Sequence, residues 1–147
     1  MGLIDDLGPG KIGVDSAIFI HFIEAAPTWL PAITPLFHAA DTGQRELVIS
    51  AVTLLEVLVV PYRAGNAAIA ARYEALLTRS RGIQLIDLTR AQLRRAAQLR
   101  ALTGVRTPDA LQLAAAHDAG CTTFVTNDRR LPAVPGLRIV QLAPYAA

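Results

Sequence analysis

Leu47-Val48-Ile49-Ser50, running directly into Ala51-Val52-Thr53-Leu54-Leu55-Glu56-Val57-Leu58-Val59-Val60, is the stretch from which the fold is read. Its first four residues predict a strand, and the ten that follow predict a buried helix. Ser50, Thr53, Glu56 and Pro61 interrupt the apolar run, which falls short of the roughly 18 to 20 apolar residues that span a bilayer. A strand feeding a helix without a linker suggests a repeating strand–helix architecture, and the flanking sequence continues it.

Toward the N-terminus, Lys11-Ile-Gly-Val-Asp15 follows Pro9-Gly10 and predicts a first strand, with Asp15 its last residue. A short helix from Ser16 to Glu24 ends before Pro27, and a second runs from about Pro31 to Ala40, closed by Asp41-Thr42-Gly43. Toward the C-terminus, Arg63-Ala64-Gly65-Asn66 marks a turn, and Ala67 to Arg79 has helical spacing, with Ile69, Tyr73, Leu76 and Leu77 on one side. Gly82 precedes a third strand, Ile83 to Asp87. Thr89 suits the N-cap of a helix reaching about Thr103, with Gly104 at its C-cap. Thr107 is expected as the N-cap of the next helix, with Pro108 at its first position and Gly120 beyond its end. Thr122 to Val125 and Leu137 to Gln141 predict two more strands. The expectation is one α/β domain over residues 1–147, a mostly parallel sheet of four to five strands with helices on both faces, and residues 1–10 as an N-terminal extension.

Composition sets further bounds. With 147 residues, 52% of them apolar, the chain fits one packed domain. Its single cysteine, Cys121, excludes an intrachain disulfide and a thiolate metal cage. The opening Met-Gly-Leu-Ile-Asp-Asp is acidic where a signal peptide is basic and apolar, so a soluble cytoplasmic protein is expected. Net charge is only +2, but thirteen of the fourteen cations are arginines. A GC-rich genome accounts for that bias, yet arginine forks also match phosphate oxygens.

Open parallel sheets carry their working residues at the carboxyl ends of strands. Asp15 ends the first strand, Glu56 lies about one and a half turns into the helix after the second, Asp109 is placed second in the Thr107-Pro108 helix, and Asp128 follows the fourth strand by about three residues. All four point toward one rim. Each also has an ordinary reading: an N-cap for Asp15, a capping box with Thr53 for Glu56, a helix-dipole partner for Asp109, turn chemistry for Asp128. Asp15 and Glu56 lie in apolar runs with no Lys or Arg within six residues of Glu56, and none between Asp15 and Arg45. Burying a charge costs several kcal/mol unless it is compensated. A divalent cation compensates several carboxylates at once, and oxygen ligands without His or Cys select Mg²⁺ or Mn²⁺ over Zn²⁺.

Val14-Asp15-Ser16-Ala17-Ile18-Phe19-Ile20, Ser50 to Glu56, Pro108-Asp109-Ala110-Leu111-Gln112-Leu113-Ala114 and Phe124-Val125-Thr126-Asn127-Asp128 resemble the motifs of PIN domains. Their length and order are similar to those of VapC-type toxins of toxin–antitoxin pairs, over about residues 11 to 142. The resemblance implies a PIN-like α/β/α sandwich and a Mg²⁺-dependent endoribonuclease restrained by a VapB-like antitoxin, usually a homodimer. It also implies that Asp15, Glu56, Asp109 and Asp128 bind metal, with Thr126 and Asn127 as polar neighbours. Some relatives carry a further acid just past the fourth, where this sequence has Arg129-Arg130. A second metal is therefore an open question.

The expected chemistry is hydrolysis of RNA phosphodiester bonds, inhibiting translation or growth. Arg129 and Arg130, beside Asp128, together with Arg106 and Arg95, are the candidates for holding the RNA backbone. A receiver-type signalling domain is rejected because it needs a lysine after its fifth strand and the only lysine is Lys11. Phosphate-cradling glycine motifs are absent, and His21, His38 and His117 have no metal-ligand spacing. The competing expectation is a PIN-like module with little or no activity that binds RNA or a protein partner.

Overall fold

The computed structural model describes residues 2–146. Five strands, β1 (Ile12–Val14), β2 (Leu47–Ser50), β3 (Ile83–Ile86), β4 (Thr123–Thr126) and β5 (Arg138–Gln141), form one sheet in the order β3-β2-β1-β4-β5. Every pairing is parallel. The helices are α1 (Leu3–Asp6), α2 (Ser16–Ile23), α3 (Leu30–Asp41), α4 (Ala51–Arg63), α5 (Ala67–Arg79), α6 (Arg90–Thr103) and α7 (Thr107–Asp118), followed by a 3-10 turn at Ala143–Tyr145.

The three-layer α/β/α sandwich follows from side-chain alternation along buried strands. Ile12, Val14, Leu47, Ile49 and Val125 join Ile18, Phe19, Ile33, Leu36 and Leu77 in one core, under the first five helices. Val48 and Phe124 point the other way and meet Leu113 and Ala116 of α7. A third cluster, Val52, Ala96, Ala110 and Ala114, ties α4 to α6 and α7. Gly13 is required where α7 crosses β1, because a Cβ there would stand 2.7 Å from Ala116 Cβ and from Phe124 Cδ1. No helix among the described residues is long and apolar enough to cross a membrane.

Several boundaries differ from expectation. The helix after β2 runs on through Pro61 to Arg63. Asp15 is not in β1 but one residue beyond it, as the N-cap of α2. Thr107 is not the cap of α7: Arg106 holds the extended N-cap backbone without a side-chain bond, Thr107 is helical, and Asp109 is the third helical residue. Asp109 thus supplies the negative charge that a helix's first turn favours. β4 begins and ends one residue later than expected, so it includes Thr126, and Asp128 lies two residues past its end.

Two residues of the expected N-terminal extension reach the core. Leu3 and Leu7, each 1% exposed, bracket α1 and pack with Leu36 and Phe37 of α3. Asp5 and Asp6 stay exposed, and Tyr145 donates a hydrogen bond to Asp6. Leu7→Ala is expected to lower unfolding free energy by about 2–5 kcal/mol, the range for emptying a buried leucine site. Urea denaturation measures it, and a loss under about 1 kcal/mol would mean that α1 is only loosely docked.

Candidate functional site

The order β3-β2-β1-β4-β5 reverses direction between β1 and β4, which makes the crevice beyond their carboxyl ends the natural site in an open parallel sheet. Asp15 and Thr126 emerge there side by side. The Asp15 backbone N–H donates to Val125 O at 3.0 Å, and Thr126 Oγ1 donates to Asp15 Oδ2 at 2.6 Å. Thr126 Oγ1 also accepts the Asp128 N–H at 3.0 Å, so one threonine fixes both acids. Asp15 Oδ1 caps α2 by accepting from Ala17 N at 3.5 Å. The N-cap reading and the site reading of Asp15 therefore hold together.

Glu56 reaches the same place from the second turn of α4. It is not part of a capping box, because Ser50 caps that helix by accepting from Val52 N. Its Oε1 accepts from Ser16 Oγ at 2.8 Å and from Gln112 Nε2 at 3.0 Å. Gln112 also spans the site to Ser16, donating from Nε2 to Oγ at 2.9 Å and accepting the Ser16 N–H on Oε1 at 3.1 Å. Thr53 Oγ1 lies 2.9 Å from Ser16 Oγ. With its one hydroxyl proton given to Glu56, Ser16 accepts from both Thr53 and Gln112, which uses its full capacity.

These partners are neutral, and among the described residues no Arg, Lys or His forms an ion pair with Asp15 or Glu56. Burial pushes the Asp15 carboxyl above its ordinary range against the bond from Thr126, and the charge of Asp109 pushes the same way. Burial likewise raises Glu56, opposed by Ser16 and reinforced by the charges of Asp15 and Asp109. Asp15 and Glu56 thus repel each other and Asp109, and neither has a cationic partner of its own.

The other two acid sites face a cleft of about 210 Å³ lined by Gly104, Arg106, Asp109, Asp128, Arg130 and Leu131, among others. Arg106 Nε lies 3.5 Å from Asp109 Oδ2. Arg130 grips Asp128, and its hydrogen bonds hold the Asp128 carboxyl below the usual range. Asn127 Nδ2 lies 3.0 Å from His21 Nε2, and His21 stacks on Trp29 with ring centroids 5.6 Å apart. Arg129 is exposed. Arg95 pairs with Asp118 at 2.6 Å, at the far end of α7 from Asp109, about 14 Å away at 1.5 Å per residue.

Among the described residues no three His, Cys, Asp or Glu side chains stand close enough together to hold an ion as they are placed. The contacts explain this: Asp109 and Asp128 are turned to arginines, and Glu56 to Ser16 and Gln112. The donor chemistry nevertheless fits Mg²⁺ or Mn²⁺. It is all carboxylate oxygen, partly buried and repulsive, and the arginines that hold Asp109 and Asp128 are themselves largely exposed.

Ser16, Gln112 and His21 had no site role in the sequence, and Thr53 had only that of a capping-box partner for Glu56. Gln112 carried a signal, being a polar residue in an Ala-Leu run three positions after Asp109 and so on the same face of α7.

A sequence model of the PIN domain matches residues 12–137. No curated protein gives a match. Among solved structures, the chain is similar to a toxin–antitoxin complex from Klebsiella pneumoniae, with TM-score 0.64 and 20% identity, covering 86% of this chain and 94% of that one. It is similar to DNA-bound VapBC from Salmonella typhimurium, with TM-score 0.64 and 23% identity over 91% of this chain and 99% of that one. It is also similar to VapC20 of Mycobacterium tuberculosis, described as a sarcin–ricin loop cleaving toxin, with TM-score 0.63 and 15% identity over 78% and 87%. Likeness at such identity speaks for the fold, whereas the sequence model spans most of the chain and includes all four acids: the chain belongs to the PIN domain family.

Proposed function

We propose that this protein is a Mg²⁺-dependent endoribonuclease, the toxin of a VapBC-type toxin–antitoxin pair that inhibits translation or growth, with Mn²⁺ able to replace Mg²⁺. The observation that carries this reading is the pair of partly buried carboxylates, Asp15 and Glu56, that no cationic side chain compensates and on which the Asp109 charge also acts, at the β1/β4 crevice. Asp15 and Asp109 would hold the cation directly, with Asp128 and Glu56 completing its surroundings. A divalent cation held there would supply Lewis-acid chemistry, polarising a phosphoryl oxygen and making a bound water more acidic. The chain's own residues do the rest. Thr126 fixes the Asp15 carboxylate, Ser16 and Gln112 fix Glu56, and Arg106 and Arg130 line the cleft for phosphate oxygens, with the exposed Arg129 next to Arg130 in the chain.

A VapB-like antitoxin is the proposed partner, in keeping with the VapBC complexes among the similar structures. A small, mostly apolar recess beside Glu56 is lined by Ile20, Ile23, Val57, Val60 and Tyr73 among others, next to a second, mixed one that shares Ile23 and Tyr73 and adds Phe22, Ile69, Arg72 and Leu76. They offer a seat for the helical tail of such a partner. Leu55, Val59 and Tyr62, all exposed, lie along one side of α4 and suit the proposed homodimer.

The ion pairs of Asp109 and Asp128 with Arg106 and Arg130 favour the second reading, a PIN-like binding module with little activity. RNA cleavage separates the two. Purified protein freed of any partner should cut RNA with Mg²⁺ or Mn²⁺ and stop with EDTA. RNA bound but left uncut in all three conditions would establish the binding module instead.

A further inference from the structure

Asp128 is the one site acid with both carboxylate oxygens taken by a cationic side chain of the same chain. Arg130 Nε donates to Oδ1 at 3.1 Å, its Nη2 to Oδ2 at 3.3 Å, and its backbone N–H to Oδ1 at 2.9 Å. The two partners differ in freedom. Asp128 is anchored, its N–H bound by Thr126 Oγ1 at 3.0 Å and its carbonyl by Gln141 Nε2 at 3.0 Å. The Arg130 side chain is 75% exposed, so it can turn away at little cost.

Both groups line the 210 Å³ cleft that also holds Asp109, and the Asp109 charge acts on the same guanidinium. The fork and the backbone N–H take three of the roughly four acceptor sites on this carboxylate, and the guanidinium charge opposes a cation at what is left. Guanidinium and cation therefore compete at Asp128. The same fork fits a phosphodiester equally well, and an RNA strand supplies phosphates at this spot.

We propose that Arg130 is an intramolecular competitor for the divalent cation at Asp128, displaced when an RNA phosphate takes over its guanidinium. This rests on the endoribonuclease reading above and adds a coupling to it. Cation and RNA each remove the obstacle to the other, so their affinities rise together, and by linkage each must strengthen the other by the same factor. The site then holds loose cation more weakly until substrate arrives.

The test is Mn²⁺ binding by partner-free protein, read from the electron paramagnetic resonance of free Mn²⁺, for wild type, Arg130→Ala and Arg130→Lys. Arg130→Ala should bind Mn²⁺ about threefold more tightly, the scale expected from removing an exposed ion pair. Arg130→Lys, a point charge without the fork, should fall between. Fluorescence anisotropy of a labelled RNA oligonucleotide supplies the second readout. Replacing EDTA with Ca²⁺ should tighten RNA binding more for wild type than for Arg130→Ala. Equal or weaker Mn²⁺ binding by a folded Arg130→Ala would overturn the competition while leaving the nuclease reading intact. Absence of Mn²⁺ binding in all three proteins would overturn both.

Discussion

Asp109→Asn is expected to lower Mg²⁺-dependent RNA cleavage by at least about a hundredfold, the scale of losing one preorganised group at a reacting centre. The substitution keeps shape and removes charge. Asp109 lies in the first turn of α7 with its side chain only 11% exposed, and its ion-pair partner is the exposed Arg106. An amide there still accepts a hydrogen bond, so folding should survive. What it cannot supply is the negative charge that acts on Asp15 and Glu56. Asp15→Asn should act in the same direction, since Asp15 sits at the junction of β1 and β4. Gel-based cleavage with a circular dichroism control measures both. Cleavage that persists in folded Asp109→Asn would remove Asp109 from the site.

The second large effect concerns stability without metal. Burial and mutual repulsion raise the folded-state pKa of Asp15 and Glu56 above the ordinary carboxylate value. The folded state therefore holds these protons more tightly than the unfolded chain. Stability must fall as pH rises from that ordinary value through the raised one, and must stay lower at neutral pH. In EDTA, Asp15→Asn should melt above wild type at pH 7.5, with the difference shrinking toward pH 4. Each kcal/mol relieved raises Tm by about 2–4 °C at this chain length. His21, whose pKa burial lowers, acts the other way by losing stability as pH falls through its ordinary range. The Asp15 charge opposes that lowering, so Asp15→Asn strengthens the His21 effect, and the comparison at pH 7.5 lies above its range. Added Mg²⁺ should stabilise wild type and narrow or reverse its gap to the variant. Identical melting of the two in EDTA across the pH range would mean that Asp15 bears no such load.

What could be read from the sequence divides along physical lines. Elements with a local signal were legible: Leu47–Ser50 from its apolar run, Ala67–Arg79 from its spacing, and the Thr89-to-Gly104 helix from its caps, Gly104 taking the left-handed φ of 72°. Elements without one were not. A single turn such as Leu3–Asp6 has no periodicity, and it is helical because Leu3 and Leu7 dock on α3. The start of α7 was misplaced because Thr107 has the chemistry of a cap while Asp109, already inside the helix, supplies the charge.

The acids stood out because Glu56 in an apolar helix and Asp15 after an apolar strand need an explanation wherever they occur. The network that orients them did not. Ser16 and Gln112 are 96 positions apart in sequence, and their pairing exists only once α7 is laid across β1 over Gly13. Likewise the arginines beside the acids read simply as phosphate ligands, and only the geometry sets Arg130 on Asp128.

The most direct test of the carboxylate site is a crystal of partner-free protein grown with Mn²⁺ and measured at the manganese absorption edge. An anomalous peak is expected at the β1/β4 crevice, within roughly 2.0–2.3 Å of Asp15 and Asp109 oxygens, with Asp128 released from Arg130. A map in which Mn²⁺ is absent from the crevice, or bound elsewhere while Asp15 and Asp109 keep their present contacts, would contradict it.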